Sequence, residues 1–309
     1  MNILETSEFS KFKRVPMFMT PVEDGSRQKE TTRQVHCGLC PNNCVIQNGE
    51  FGACGVRGNK SGIGIIPFYG FISSLASDPI EKKPLYHFKP GTQILSLGFA
   101  GCNLRCPFCQ NWHISQNTDI SGKWMQPGEI ISAALKYDSP SVAYTYSEPL
   151  VHFEYVLDCM VLARKHNIAN VLVTNGCINK NTAEEILKLT DAANVDLKCF
   201  SSECYRKTLA CGIKGSNLLQ SVCDFIKLCF DMKVHLEVTT LVVPDLNDTK
   251  EELDKIADFI VSVNKDIPLH LTAYHPDYRW NAPPTDPAFL RNAAKEAGKK
   301  LTYVHTGNI

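Results

Sequence analysis

From residue 93 onward, short apolar runs alternate with longer stretches whose apolar positions recur at helical spacing. The runs 94–97, 141–146, 170–174, 193–197, 234–243 and 269–273 read as strands, with 301–304 as a last short one. Between them, 129–137, 150–166, 182–189, 216–232, 250–263 and 287–297 read as helices. Pro127-Gly128 enters the first, and the second carries Val151, Tyr155, Val156 and Leu162 on one face. Strands separated by helices imply β-α units and a parallel sheet. The expected fold is therefore α/β, a partial (β/α)6 TIM-like barrel with an N-terminal cysteine-rich segment. In such a fold the site lies at the C-terminal ends of the strands.

Before residue 93 the pattern differs. Residues 1–34 are polar and aperiodic and read as a loosely held arm. Residues 36–59 are rich in Gly, Asn and Pro and predict tight turns. Apolar runs at 63–66 and 69–75 are broken by Pro67 and Gly70, and 78–88, with two prolines, is expected to be irregular, either lining the approach to the site or forming a solvated loop. The expected organisation is an arm (1–34), a cysteine-rich segment with a β-rich connection (35–92), and a core with a C-terminal extension (93–309).

The strand ends carry polar side chains with chemical uses. The first runs into Gly101-Cys102-Asn103-Leu104-Arg105-Cys106-Pro107-Phe108-Cys109-Gln110-Asn111-Trp112. The next end in Thr145-Tyr146-Ser147-Glu148-Pro149, Thr174-Asn175-Gly176 and Asp196-Leu197-Lys198. The last two end near Thr239, Thr240 and Asp245, and in Thr272-Ala273-Tyr274-His275. Asp196 and Lys198 share a face by the period of two. Glu148 stands where an acid also suits a helix start. Tyr144, Tyr146, His270 and His275 are candidate substrate contacts or, equally, core and turn residues. Asn103 and Arg105 read equally as shaping the cysteine loop or as turn geometry and a surface salt bridge, and Trp112 as packing the loop.

Composition narrows the classes. The 309 residues are 44% hydrophobic, enough for a full core, and 32 basic residues balance 32 acidic ones. That balance argues against a general nucleic-acid binder. No run of eighteen apolar residues predicts a membrane span, and 1–6 does not resemble a signal peptide. The expected compartment is the cytoplasm. There, grouped cysteines mean metal or redox chemistry rather than disulfides.

The 14 cysteines divide into groups. Cys102, Cys106 and Cys109, spaced C-x3-C-x2-C, can wrap one corner of a four-iron cluster and leave one iron open. A closed zinc site would need a fourth ligand, for which His113 is the nearest candidate. Cys37, Cys40, Cys44 and Cys54 can close around a metal that staples a turn-rich segment, and zinc and a second iron–sulfur cluster both remain open. Cys159, Cys177, Cys199, Cys204, Cys211, Cys223 and Cys229 read as small core hydrophobes, with Cys177 and Cys199 set apart because they follow strands aimed at the site.

The C-x3-C-x2-C loop with Phe108 before its last cysteine resembles the radical S-adenosylmethionine (SAM) superfamily. The resemblance implies a [4Fe–4S] cluster on Cys102, Cys106 and Cys109, and reductive SAM cleavage to a 5′-deoxyadenosyl radical that abstracts hydrogen from a substrate. Tyr146-Ser147-Glu148-Pro149 stands where the superfamily often has Gly-Gly-Glu-Pro, which holds the SAM amino group. Thr174 and Asn175 are similar to the polar pair that meets the SAM carboxylate or ribose. Asp196 and Lys198 resemble the Asp-x-Lys motif of glycyl-radical-enzyme activases, and 242–248 their turn behind the adenine. The cysteine-rich segment, Asp-Pro-Ile-Glu-Lys-Lys-Pro-Leu-Tyr-His-Phe (78–88), Cys-Gln-Asn-Trp (109–112), Tyr-Thr-Tyr-x-Glu-Pro (144–149) and the C-terminal Gly-Asn look like the radical SAM enzyme of the AmmeMemoRadiSam system, a pyruvate formate-lyase activating enzyme-like group. Implied partners are a one-electron reductant of the flavodoxin or ferredoxin class and AMMECR-like and Memo-like proteins. The alternative function is a glycyl-radical-enzyme activase acting on a partner protein.

Overall fold

The computed structural model describes residues 14–22, 33–211 and 217–309. Its main sheet has eight strands, numbered here in chain order: β1 (Ser74–Pro79), β2 (Gln93–Gly98), β3 (Ser141–Thr145), β4 (Ala169–Thr174), β5 (Ala192–Asp196), β6 (His235–Val242), β7 (Leu269–Ala273) and β8 (Val304–Gly307). Spatial order equals chain order, and β1 and β8 are unpaired with each other. From β2 to β8 every pairing is parallel. Only β1 runs antiparallel to its neighbour. The crossovers are α1 (Pro127–Lys136), α2 (Phe153–Lys165), α3 (Lys180–Leu187), α4 (Leu218–Asp231), α5 (Lys250–Val263) and α6 (Pro287–Ala297). This is an α/β fold, a partial TIM-like barrel open between β1 and β8. No helix among the described residues is long and apolar enough to cross a membrane.

The period of two explains how the barrel is filled. Leu95, Leu97, Val142, Tyr144, Leu172 and Val195 join the large core that includes the helices. The alternate positions Ile94, Ala143, Val171 and Ala192 form a separate apolar patch, covered by Ile80 and Leu85. The segment after β1 therefore crosses the inner face of the sheet. It is held there by Asn194 Nδ2 donating to the Pro84 carbonyl (2.7 Å) and by the Tyr86 and His87 amides donating to Glu237 on β6.

Several expectations are corrected. Residues 78–79 belong to β1, and 80–82 form a turn of 3-10 helix, so the segment expected to be irregular is a strand end followed by a plug. The last strand is 304–307 rather than 301–304. Leu301 is buried but closes the end of α6, donating its amide to Ala297, while Val-His-Thr-Gly, too polar to signal, pairs with β7. Pro149 starts a 3-10 turn before α2. Most of the expected arm (1–13 and 23–32) lies outside the described residues. Residues 14–22 are not loose: the Met17 amide donates to Glu154 (2.5 Å), Arg14 pairs with Asp158 (3.0 Å), and Met19–Pro21 pairs with Val35–Cys37. Cys199 is bonded to Cys204, so these two are not simple core thiols.

Candidate active site

A cavity of about 520 Å³ opens at the C-terminal ends of the strands, within the range of small-molecule sites. Cys102, Cys106 and Cys109 line it together with Asn175, Asp196 and Lys198. The inner-face positions above the apolar patch complete the wall: Thr145, Val173, Thr239, Leu241, His270 and Thr272. Glu81, Lys82, Lys83, Pro84 and Tyr86 of the plug also face it, so this segment lines the cavity itself.

The loop after β2 is fixed by polar contacts that need its particular side chains. Asn103 Nδ2 donates to the Cys177 carbonyl (2.7 Å), and its Oδ1 accepts from Asn175 Nδ2 (2.9 Å). Arg105 donates to the Cys102 carbonyl (2.7 Å) and to that of Ala53 in the cysteine-rich segment. The Leu104 amide is directed at Cys102 Sγ (3.4 Å), and Ser115 Oγ lies 3.2 Å from Cys109 Sγ. Burial pushes the Cys106 thiol up to about 12, against the pull of Lys198. Lys198 Nζ is 3.0 Å from Asp196 Oδ2. Burial opposes the Lys198 charge, but Asp196 and Cys106 outweigh it and raise its pKa well above the ordinary value. Trp112 is half-exposed and stacks on Tyr278, 5.2 Å between centroids, so it packs the loop's outer side.

Glu148 and Thr174 are buried and absent from the cavity wall. Glu148 Oε1 accepts from Thr174 Oγ1 (2.7 Å) and the Leu150 amide (3.0 Å), and Oε2 from the Asn175 amide (2.8 Å). Burial, partly offset by these donors, pushes its carboxyl up to about 7. The pair ties the turn after β3 to the turn after β4. Tyr146 adopts φ +69°, the left-handed backbone that glycine favours. Its hydroxyl donates to Asp78, and Lys83 Nζ lies 4.2 Å from its ring centre. Burial works against the Asp78 carboxylate, but hydrogen bonds from Lys82, Lys83 and Tyr146 hold it well below the usual range.

Among the candidate substrate contacts, Tyr146 and His270 reach the cavity, while Tyr144 and His275 do not. Tyr144 is buried and donates to Asn170 (3.1 Å), and His275 is exposed. Cys177 is buried outside the wall, with Sγ near the Leu218 carbonyl. Two strand-end residues given no role of their own, Ser147 and Thr239, also line the wall. Their hydroxyls are buried without a hydrogen-bond partner. Asp78 was also missed as a site-shaping residue, although its place four and five residues before Lys82 and Lys83 was readable.

A family model for the radical SAM superfamily matches residues 97–260. The chain belongs to the radical SAM superfamily. It is 40% identical to an uncharacterized protein of Methanocaldococcus jannaschii over 91% of this chain and 84% of that one. It is 27% identical to the pyruvate formate-lyase-activating enzyme of Clostridium pasteurianum over 57% of this chain and 73% of the enzyme. Among solved structures, Streptococcus suis SuiB bound to S-adenosylmethionine is similar in fold, with a TM-score of 0.52 at 18% identity, covering 68% of this chain and 51% of that one. Superfamily membership implies a [4Fe–4S] cluster and SAM, and this chain's residues fit both. Among the described residues no three His, Cys, Asp or Glu side chains are grouped to hold a single metal ion. A cubic cluster spreads its thiolates wider than one ion does, and three thiols edge the cavity. Ser147 and Thr239 add polar residues to the same wall.

Proposed function

We propose that this protein is a radical SAM enzyme in which Cys102, Cys106 and Cys109 hold a [4Fe–4S] cluster and the cavity beside them binds SAM and a substrate. When bound, cluster and SAM supply the chemistry: one electron from a flavodoxin- or ferredoxin-class reductant cleaves the sulfonium, giving methionine and a 5′-deoxyadenosyl radical that takes a hydrogen atom from the substrate. The observation that carries this reading is the meeting of three thiols with Asn175, Asp196 and Lys198 in one cavity at the strand ends.

The chain's own residues then have distinct tasks. Asn103, Arg105 and Asn175 hold the cysteine loop in shape, and the Leu104 amide and Ser115 hydroxyl stabilise thiolate charge. Left-handed Tyr146 gives the turn after β3 the conformation that a glycine would give it. Glu148 and Thr174 position that turn and Asn175 from behind. Asp196, on the cavity wall, provides an acceptor for the ligand. Lys198, anchored on Asp196 with its backbone carbonyl held by Asn247 (2.7 Å), lines the cavity. A cytoplasmic setting suits free thiols and a reduced cluster, and AMMECR-like and Memo-like proteins are the partners that the subgroup resemblance names.

The second reading, a glycyl-radical-enzyme activase, is supported by the similarity to the Clostridium pasteurianum enzyme and by Asp196-x-Lys198. SAM titrated into the anaerobically reconstituted, dithionite-reduced protein tests the first reading. The electron paramagnetic resonance signal is expected to shift in the native protein and in Cys37→Ala. An unchanged signal from a fully loaded native protein would refute SAM binding at the open iron. A glycine-centred radical on a co-incubated partner would select the activase reading.

A further inference from the structure

The cysteine-rich segment is built around a second set of sulfurs that the proposed reaction does not use. Cys37 lies directly opposite Cys44 across two antiparallel strands. A tight turn, with the Asn43 amide on the Cys40 carbonyl (3.0 Å), brings Cys40 back toward them. Cys54 follows Ala53, whose amide is directed at Cys44 Sγ (3.4 Å). None of the four is in a disulfide, and none lines the cavity. Amides directed at sulfur are what a thiolate set needs when it is buried.

Arg57 supplies an independent observation. Its side chain is buried, and two of its nitrogens are on Glu154, at 2.8 and 2.9 Å. Its Nε has no hydrogen-bond partner. A buried N–H left over in this segment is open to an acceptor. The surrounding elements are strands of three residues, which cannot hold a fold by packing alone. As at the first loop, among the described residues no three thiols are grouped for a single ion. A zinc ion would draw four sulfurs to about 2.3 Å from one point, whereas a cubic cluster takes them spread apart.

We infer that Cys37, Cys40, Cys44 and Cys54 hold a second [4Fe–4S] cluster. With four thiolates it has no open iron, so it accepts and returns one electron and does not bind SAM. It lies against the first loop: a Cβ on Gly101 would stand 2.4 Å from the Cys54 carbonyl oxygen, and Asn42 Nδ2 donates to the Asn103 carbonyl (3.0 Å).

The test is iron, sulfide and zinc analysis of the anaerobically reconstituted full chain, with electron paramagnetic resonance after dithionite reduction. The native protein should carry about eight irons and eight sulfides, and the Cys102→Ala/Cys106→Ala/Cys109→Ala variant about four of each. The variant's reduced signal should be unchanged by SAM. Zinc at the second loop, about four irons in the native protein, or a SAM-sensitive signal in the variant would overturn the inference. If the variant fails to fold, the native count decides. A native protein with about eight irons and no response to SAM would refute the proposed reaction and leave this site standing. About four irons with a SAM response would do the reverse.

Discussion

Single residues carry more of the site's design than their types suggest. Tyr146 occupies a left-handed backbone position that costs a non-glycine residue about 1–3 kcal/mol, and contacts with Asp78 and Lys83 offset that cost. This explains how a chain without the two glycines keeps the turn. His152 is a residue of another kind. It is buried, stacks on Phe99 at 5.0 Å and lies 2.7 Å from the Ala100 carbonyl, just before the cysteine loop. Burial lowers its pKa to about 4, against the Ala100 carbonyl, so the folded protein keeps it neutral. Below its unfolded value of about 6.5 the unfolded chain binds a proton that the folded chain refuses. Stability from this residue is therefore full above about pH 6.5 and is lost as pH falls toward 4. By pH 5 the loss is about 2 kcal/mol. Urea unfolding of the apoprotein at pH 7 and pH 5 should show that loss in the native chain and not in His152→Gln, beyond whatever decline both share. An equal decline in both would contradict the assignment.

At the scale of elements, the first cysteine loop and the cysteine-rich segment behave as one unit. Gly101 has φ +75° and no room for a Cβ against the Cys54 carbonyl, which is backbone and cannot step aside. Gly49 has a similar φ of +82° but open space around it. Gly49→Ala should cost about 1 kcal/mol, from backbone conformation alone. Gly101→Ala should cost about 3 kcal/mol or more and lower the iron content after reconstitution. Thermal unfolding and iron analysis of the two variants check this, and equal effects would contradict the docking of the two loops. Strands and helices were readable wherever apolar periodicity was strong: 250–263, 269–273 and 287–297 match the structure end to end. The signal failed where burial and strand formation separate, as at Leu301, which is buried in a turn, and Val304–Gly307, which is a polar strand. The plug was unreadable for a related reason. Ile80 and Leu85 look like isolated apolar residues in a loop until the inner face of the sheet is seen beneath them.

At the scale of the whole molecule, the barrel divides its inner face into two levels. The lower level is sealed by the plug, and the upper level, with the cysteine loop, encloses the cavity. Placement at strand ends was legible from the sequence for Cys102, Cys106, Cys109, Asn175, Asp196 and Lys198, because position in a β-α unit fixes which end a residue occupies. Whether a side chain faces the cavity or stands behind it was not legible, since a shift of one residue reverses the face. Glu148, Thr174 and Tyr144 stand behind, while Ser147 and Thr239 face the cavity. The central claim is that the cavity cleaves SAM at a cluster on the first loop. Its most direct measurement is 5′-deoxyadenosine and methionine formed from SAM by the anaerobically reconstituted, reduced protein. The native chain is expected to form both, and Cys106→Ala to lose at least about 99% of that activity while remaining folded. A native chain with full iron content and no SAM cleavage, or a Cys106→Ala variant as active as the native chain, would contradict it.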